Sequence, residues 1–236
     1  MEGRERTLAW GVHVLTASGA VLAFLALIAV EAGSTDKALL WLFAALVIDG
    51  VDGSLARAVK VRERMPRISG ESLDLVVDYL TYVFVPAMLI WQGGYLPKPL
   101  ALPLTAAILV SSLYVFARED MKTEDGYFRG FPALWNLVAF YFVATEPSTA
   151  IAAAVTVALI ALTFAPIHVV HPFRVTDFGE ALPIVAVAWG ATTAALLVPG
   201  WSVLIHTFLL LMSLGTAGAL VAMGLLRTVR GPKRAQ

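Results

Sequence analysis

Residues 49 to 78 read D-G-V-D-G-S-L-A-R (49–57), twelve further residues (58–69), and then G-E-S-L-D-L-V-V-D (70–78). Asp49, Asp52, Asp74 and Asp78 stand inside or against long apolar runs, where one such charge at mid-helix costs roughly 2.5–3.5 kcal/mol on insertion scales. A feature that costly needs a compensating partner. Asp49 and Asp52 are three positions apart and Asp74 and Asp78 four apart, so on helices each pair projects from a single face. Two such faces opposed make a cage of hard oxygen ligands, which suits Mg2+ or Mn2+ rather than zinc or copper. Gly50, Gly53 and Gly70 leave helix surface bare beside the carboxylates, so a bulky anion can come close to the backbone. Arg57 supplies a planar, permanently charged fork for phosphate. Intramembrane carboxylates also serve transporters and proton relays. Two acidic pairs with these glycines and Arg57 in this order favour a metal-diphosphate site.

The rest of the chain is built to hold that stretch at a membrane. Of 236 residues 59% are apolar and 14% charged, and the mean hydropathy is +0.80, whereas a soluble domain carries ~25% charged residues. This excludes an ordinary soluble globular protein. No cysteine is present, so disulfide frameworks and thiol chemistry are excluded as well. Spans of ~17–25 apolar residues are expected at 8–31, 38–58, 71–91, 99–117, 131–145, 148–169, 181–198 and 201–227. The fifth is short, and its Gly130, Pro132 and Trp135 suggest a segment starting at an interface. The first follows Arg4 and Arg6 but is too long for a signal-peptide core, and it reads as a retained span. With a cytoplasmic N-terminus, fifteen Lys and Arg residues, Lys233 and Arg234 of the tail among them, fall on the cytoplasmic side and only Lys37 and Lys98 outside. The positive-inside rule therefore predicts both termini and the four aspartates on the cytoplasmic side. The expected fold is all-α: a polytopic transmembrane helix bundle of about eight spans, residues 1–236 forming one integral-membrane domain without internal repeats.

The segment 49–78 resembles the signature of the CDP-alcohol phosphatidyltransferase family, D-x-x-D-G-x-x-A-R, a spacer, then G-x-x-x-D-x-x-x-D. The matching positions are Asp49, Asp52, Gly53, Ala56, Arg57, Gly70, Asp74 and Asp78. The spacer is longer than is usual in the family. That length, the text L-D-L-V-V-D-Y-L-T-Y-V-F-V-P after Ser72, and the segments Y-F-R-G-F-P-A-L-W-N (127–136) and H-P-F-R-V (171–175) are similar to the bacterial branch that uses choline. The resemblance covers most of the chain. It implies a donor, CDP-diacylglycerol, and an acceptor, choline, joined at the inner membrane by a multi-pass enzyme whose site faces the cytoplasm. It also implies Mn2+ or Mg2+, two ions held by Asp49, Asp52, Asp74 and Asp78, with Asp78 as the base. Gly53, Ala56, Arg57 and Gly70 would receive the CDP-diacylglycerol. A homodimer is the assembly common in the family, and no nucleic-acid partner is expected. Other acceptors, namely inositol, serine or glycerol 3-phosphate, stay open at this point, as does a cation transporter using the same carboxylates.

Outside the motif the readings divide. A quaternary ammonium has no N–H to donate, so aromatic faces must recognise it; Tyr82, four residues after Asp78, and Trp135 are the candidates, against an interfacial aromatic belt or ordinary core. Thr16 and Gly19 either line the nucleotide site or pack helices. Arg174 either meets the lipid-linked phosphate or anchors topology. The basic spacer K-V-R-E-R-M-P-R (60–67) meets the positive-inside rule and can attract anionic headgroups, ~1 kcal/mol per basic residue. Glu119 and Asp120 either face a cationic substrate or are solvated. His168 and His171 are not expected to ligate metal, because Pro172 breaks their helical spacing.

Overall fold

In hydrocarbon every backbone N–H and C=O must bond within its own segment, so long apolar runs fold as helices. A computed structural model describes residues 2–231; Lys233 and Arg234 lie outside the described residues. Each of the eight apolar runs contains a helix. Four helical stretches near the N-terminal end are long and apolar enough to cross a membrane: α1 (Glu2–Glu31), α2 (Thr35–Val59), the run Gly70–Gln92, and, after the linking residues 93–97, α6 (Lys98–Ala117). A fifth, α10 (Val203–Arg230), meets the same standard. The run 70–92 is built of α4 (Gly70–Asp78), a π-helical turn (Tyr79–Phe84) and α5 (Val85–Gln92), and the short α3 (Val61–Arg64) precedes it. Three apolar helices are shorter: α7 (Trp135–Thr145), α8 (Thr149–Thr163) and α9 (Ala181–Leu196). At 1.5 Å per residue an 11-residue α7 spans only ~16 Å of a ~30 Å hydrocarbon layer. Local chemistry sets those ends. α7 begins after Pro132 and Ala133, the latter at φ 58°, and stops at Glu146, at φ 44°, before Pro147; α8 gives way two residues before Pro166.

The described residues divide into two compact units. The first comprises residues 2–116 and 134–153, the second 117–133 and 154–231. In the first, α1 lies along α2 and also meets α4 and α5. Many of its buried positions are small, Ala9, Ala23, Ala26 and Ala29 among them, while Leu8, Val14, Val21, Phe24 and Ile28 are exposed. That inversion is expected in lipid, where large apolar side chains gain nothing by turning inward and small ones let backbones approach. Gly19 is such a point, since a Cβ there would lie 2.5 Å from Val77 Cγ1 of α4. Contacts at the two ends fix alternating directions: Glu5 pairs with Arg64 at 3.2 Å, and the Gln92 amide donates to Glu31 at 2.6 Å. The spacer turns at Lys60, φ 53°, and α3 stops before Pro66. Its Val61 and Met65 pack on Ala9 and Val12, joined by Ala56, Val59 and Ile68.

The π-helical turn has an identifiable cause. Pro86 has no N–H to return to the Tyr82 carbonyl four residues back, and its ring would strike that carbonyl in α geometry. Widening to an i→i+5 turn relieves the clash and shifts the register of Tyr79–Phe84.

In the second unit, β1 (Phe128–Arg129) pairs antiparallel with β2 (His168–Val169) in the register Phe128 to Val169 and Arg129 to His168. Gly130, at φ +79°, follows β1 because a Cβ there would collide with the Thr163 carbonyl. Tyr127, Val170, Val175 and Leu182 form the core beside these strands, with Leu220 and Met223 of α10 against it. Polar locks surround the core. Arg227 Nε donates to Asp125 at 2.6 Å, its guanidinium lies 5.7 Å over the Tyr127 ring, and the Tyr127 hydroxyl donates to Asp177 at 2.9 Å.

Candidate metal and substrate site

Asp49 sits past the middle of α2, and Asp74 and Asp78 are one turn apart on α4. The packing of α1 against both helices brings these carboxylates together: Asp49, Asp74 and Asp78 each place an oxygen within 4.8 Å of the others, all three half-buried. Three like charges this close in a poorly solvated place repel unless a cation lies among them. The donor set is all carboxylate, the hard oxygen type that Mg2+ and Mn2+ take. The residues therefore fit a hard divalent cation. Among the described residues this is the cluster with that property.

Asp52 departs from its i, i+3 partner. It is 4% exposed, and its Oδ2 accepts from the Thr16 hydroxyl of α1 at 2.5 Å. The acidic pair on α2 thus divides, with Asp49 toward α4 and Asp52 toward α1. Thr16 is accordingly a partner of the motif itself, and Gly19 packs on Val77. The sequence reading weighed Thr16 against the nucleotide or a helix contact. A hydroxyl answering a carboxylate 36 residues away was missed, and the polar residue amid the apolar first span was the available signal.

Gly53 has open space around it except for the Arg57 guanidinium, 3.6 Å from where its Cβ would stand. Arg57 folds back along its own helix to donate to Ser54 Oγ at 3.0 Å and stays exposed. Ala56 packs toward the cluster around Val61. Gly70 opens α4, with Ser69 accepting from the Ser72 N–H at 3.1 Å as the N-cap. A Cβ at Gly70 would come within 3.3 Å of the His13 ring.

Tyr82 is 7% exposed and donates its hydroxyl to Asp49 Oδ2 at 2.5 Å, so its ring adjoins the acidic cluster. Trp135 is fully buried and donates its indole N–H to Ser112 Oγ of α6 at 3.0 Å; α7, which it opens, packs on α5 and the π-helical turn. Arg174 belongs to the second unit, where its Cβ and carbonyl bound Gly126. There Asp120 meets Arg118 at 2.8 Å and Arg129 at 3.9 Å. His168 is tied to Thr228, whose hydroxyl also accepts the His168 backbone N–H at 2.8 Å, and His171 stacks on Phe128 at 5.4 Å. Burial, then Arg227 and Arg129, holds the His168 imidazole below its usual range despite Asp125. Burial pushes Tyr127 well up, aided by its bond to Asp177. Burial of Asp125 is outweighed by the hydrogen bonds from Arg227 and Thr123, and its carboxyl is lowered.

Comparison with known proteins bears on what this cluster serves. The family model described as CDP-alcohol phosphatidyltransferase matches residues 11–167, which include all four aspartates. The chain is 45% identical over 194 residues to a phosphatidylcholine synthase of Pseudomonas aeruginosa, covering 82% of each chain. It is 39% identical over 198 residues to one of Agrobacterium fabrum, covering 84% of this chain and 80% of the relative. Against one of Borreliella burgdorferi the identity is 35% over 190 residues, covering 80% and 81%.

Proposed function

The chain belongs to the CDP-alcohol phosphatidyltransferase family, and from that premise we propose that it is a phosphatidylcholine synthase, moving the phosphatidyl group of CDP-diacylglycerol to choline with release of CMP. The observation that carries the reading is the convergence of Asp49, Asp74 and Asp78 from two neighbouring helices inside the family match. Residues 1–236 are read as one domain of eight spans in the inner membrane, with both termini and the site on the cytoplasmic face.

Asp49, Asp74 and Asp78, with Asp52 one turn along α2, would hold Mn2+ or Mg2+, two ions in this reading. Bound there, the divalent charge offsets that of the donor diphosphate and the negative charge that develops at phosphorus. Gly53 and Gly70 leave backbone open to the nucleotide, and Arg57 can unfold from Ser54 to pair with phosphate. Asp78 takes the proton of the choline hydroxyl as its oxygen attacks the phosphorus bearing diacylglycerol. The bond from that phosphorus to the bridging oxygen breaks, and the oxygen leaves on CMP. The Tyr82 ring beside the carboxylates offers the aromatic face that a quaternary ammonium needs. For Trp135, buried with its indole N–H on Ser112, a part in choline binding requires it to be uncovered.

Labelled choline and CDP-diacylglycerol, supplied to the enzyme in detergent, test the reading. Expected are labelled phosphatidylcholine and CMP, turnover lost on chelation and restored by Mn2+ or Mg2+, and a fall of about 10²–10⁴-fold in Asp78→Asn. Product with inositol, serine or glycerol 3-phosphate but none with choline would favour another member of the family. Detergent holds no gradient, so turnover there separates transferase from cation transporter.

A further inference from the structure

The hydrogen bond from Tyr82 to Asp49 has a purpose that recognition of an ammonium does not require. A cation is met by the face of an aromatic ring, and Phe supplies that face as well as Tyr does. The hydroxyl adds nothing to it. Here the hydroxyl is buried and commits its proton to one oxygen of a carboxylate that contributes to the three-aspartate cluster. It reaches that oxygen from a different helix, 33 residues away in the chain, and from within the one π-helical turn among the described residues. Pro86 accounts for that turn through the Tyr82 carbonyl itself. Thr81, in the same turn, donates its hydroxyl to the Val77 carbonyl at 3.1 Å, a further tie on the backbone next to Tyr82. π turns of this kind recur at functional sites because they aim a side chain that α geometry would place elsewhere.

We propose that Tyr82 is a positioning residue for the metal site: its hydroxyl sets the rotation of the Asp49 carboxylate and so the presentation of its oxygens to a divalent cation held with Asp74 and Asp78. The inference rests on the metal reading above. Outer partners of this sort fix the orientation of a ligating carboxylate, and their loss commonly costs about 10–100-fold in metal affinity. The ring and the hydroxyl of Tyr82 then do separable jobs, and two substitutions part them.

Binding of Mn2+ alone to the detergent-purified protein, followed by the loss of its free electron-paramagnetic signal, is the readout, and choline KM is measured beside it. Tyr82→Phe should weaken Mn2+ binding about tenfold or more and leave choline KM near the wild-type value at saturating Mn2+. Tyr82→Leu, which removes the ring too, should raise choline KM in addition. Wild-type Mn2+ affinity in Tyr82→Phe overturns the positioning role and leaves the metal site standing. Failure of the wild-type protein to bind Mn2+ overturns the metal reading itself.

Discussion

A carboxylate in an apolar helix is held by whatever donor its neighbours can bring, and the two aspartates of α2 show the alternatives side by side. Asp52 is met by Thr16 and Asp49 by Tyr82, each through a hydroxyl brought from another helix. The same accounting governs the other unit, where Asp125 and Tyr127 lie in a loop and Arg227 in the last turn of α10. His168 is kept neutral by burial and by the Arg227 and Arg129 charges, so its folded value lies below 6.5. A lowered value means that the unfolded chain binds the proton more readily, so the contribution is fully present above pH 6.5 and is lost as pH falls through the folded value. The melting temperature in detergent should therefore decline as pH drops below about 6.5, and His168→Gln should flatten that decline. Asp125, whose carboxyl is lowered from 3.8, follows the same sign in a separate window: its pair with Arg227 gives way only below that value. A decline that persists unchanged in His168→Gln would assign it to another group.

Between elements, the decisive contacts are those where a side chain is missing. A glycine inside a helix ordinarily costs about 0.5–1 kcal/mol relative to alanine, so Gly19→Ala would stabilise α1 if nothing faced it. Val77 faces it, with Cγ1 2.5 Å from the place a Cβ would take, and a valine in a helix has little freedom at χ1 to withdraw. Overpacking of this kind costs about 1–3 kcal/mol and prevails over propensity. Gly19→Ala should lower the melting temperature and turnover together, because α4 carries Asp74 and Asp78, and Val77→Ala should restore both in the double variant. Additive losses in the double variant would show that the two residues do not meet. Such contacts mark what sequence discloses and what it withholds. The spacing of Asp49, Asp74 and Asp78 was legible because helical period alone puts each acid on a usable face. The division of Asp49 from Asp52 was not, since it depends on Thr16 and Tyr82 arriving from other helices. Eight apolar runs were visible, yet Pro132, Pro147 and Pro166, within or next to the fifth and sixth of them, shortened the helices there by local geometry that hydropathy does not weigh. Pro86 accounts for the π turn once the structure is seen, and only the structure shows that Tyr82 in that turn meets Asp49. The Arg227–Asp125 pair joins residues 102 apart, a separation across which no local pattern speaks.

At the scale of the whole molecule, orientation across the membrane follows from charge, and the chain is well suited to a direct test. In the first unit Arg64 meets Glu5 at one end and Gln92 meets Glu31 at the other, so α1, α2 and the run 70–92 alternate in direction. α6 then starts at Lys98, six residues past Gln92, which puts Arg62 and Lys98 at opposite ends of the unit, both exposed. Lysine and arginine near span ends resist translocation, and the excess lies with Arg62. The chain has no cysteine, so single cysteines label against a silent background. In intact cells a membrane-impermeant maleimide should modify Lys98→Cys, and should modify Arg62→Cys only after the membrane is opened. The reverse pattern would turn α2 over and carry the basic spacer, with the aspartates nearest to it, toward the outer face, away from cytoplasmic CDP-diacylglycerol headgroups and choline. Because a lipid donor can be approached from either leaflet but a nucleotide headgroup is made and recycled in the cytoplasm, that result would leave the carboxylate cluster intact and remove the chemistry proposed for it.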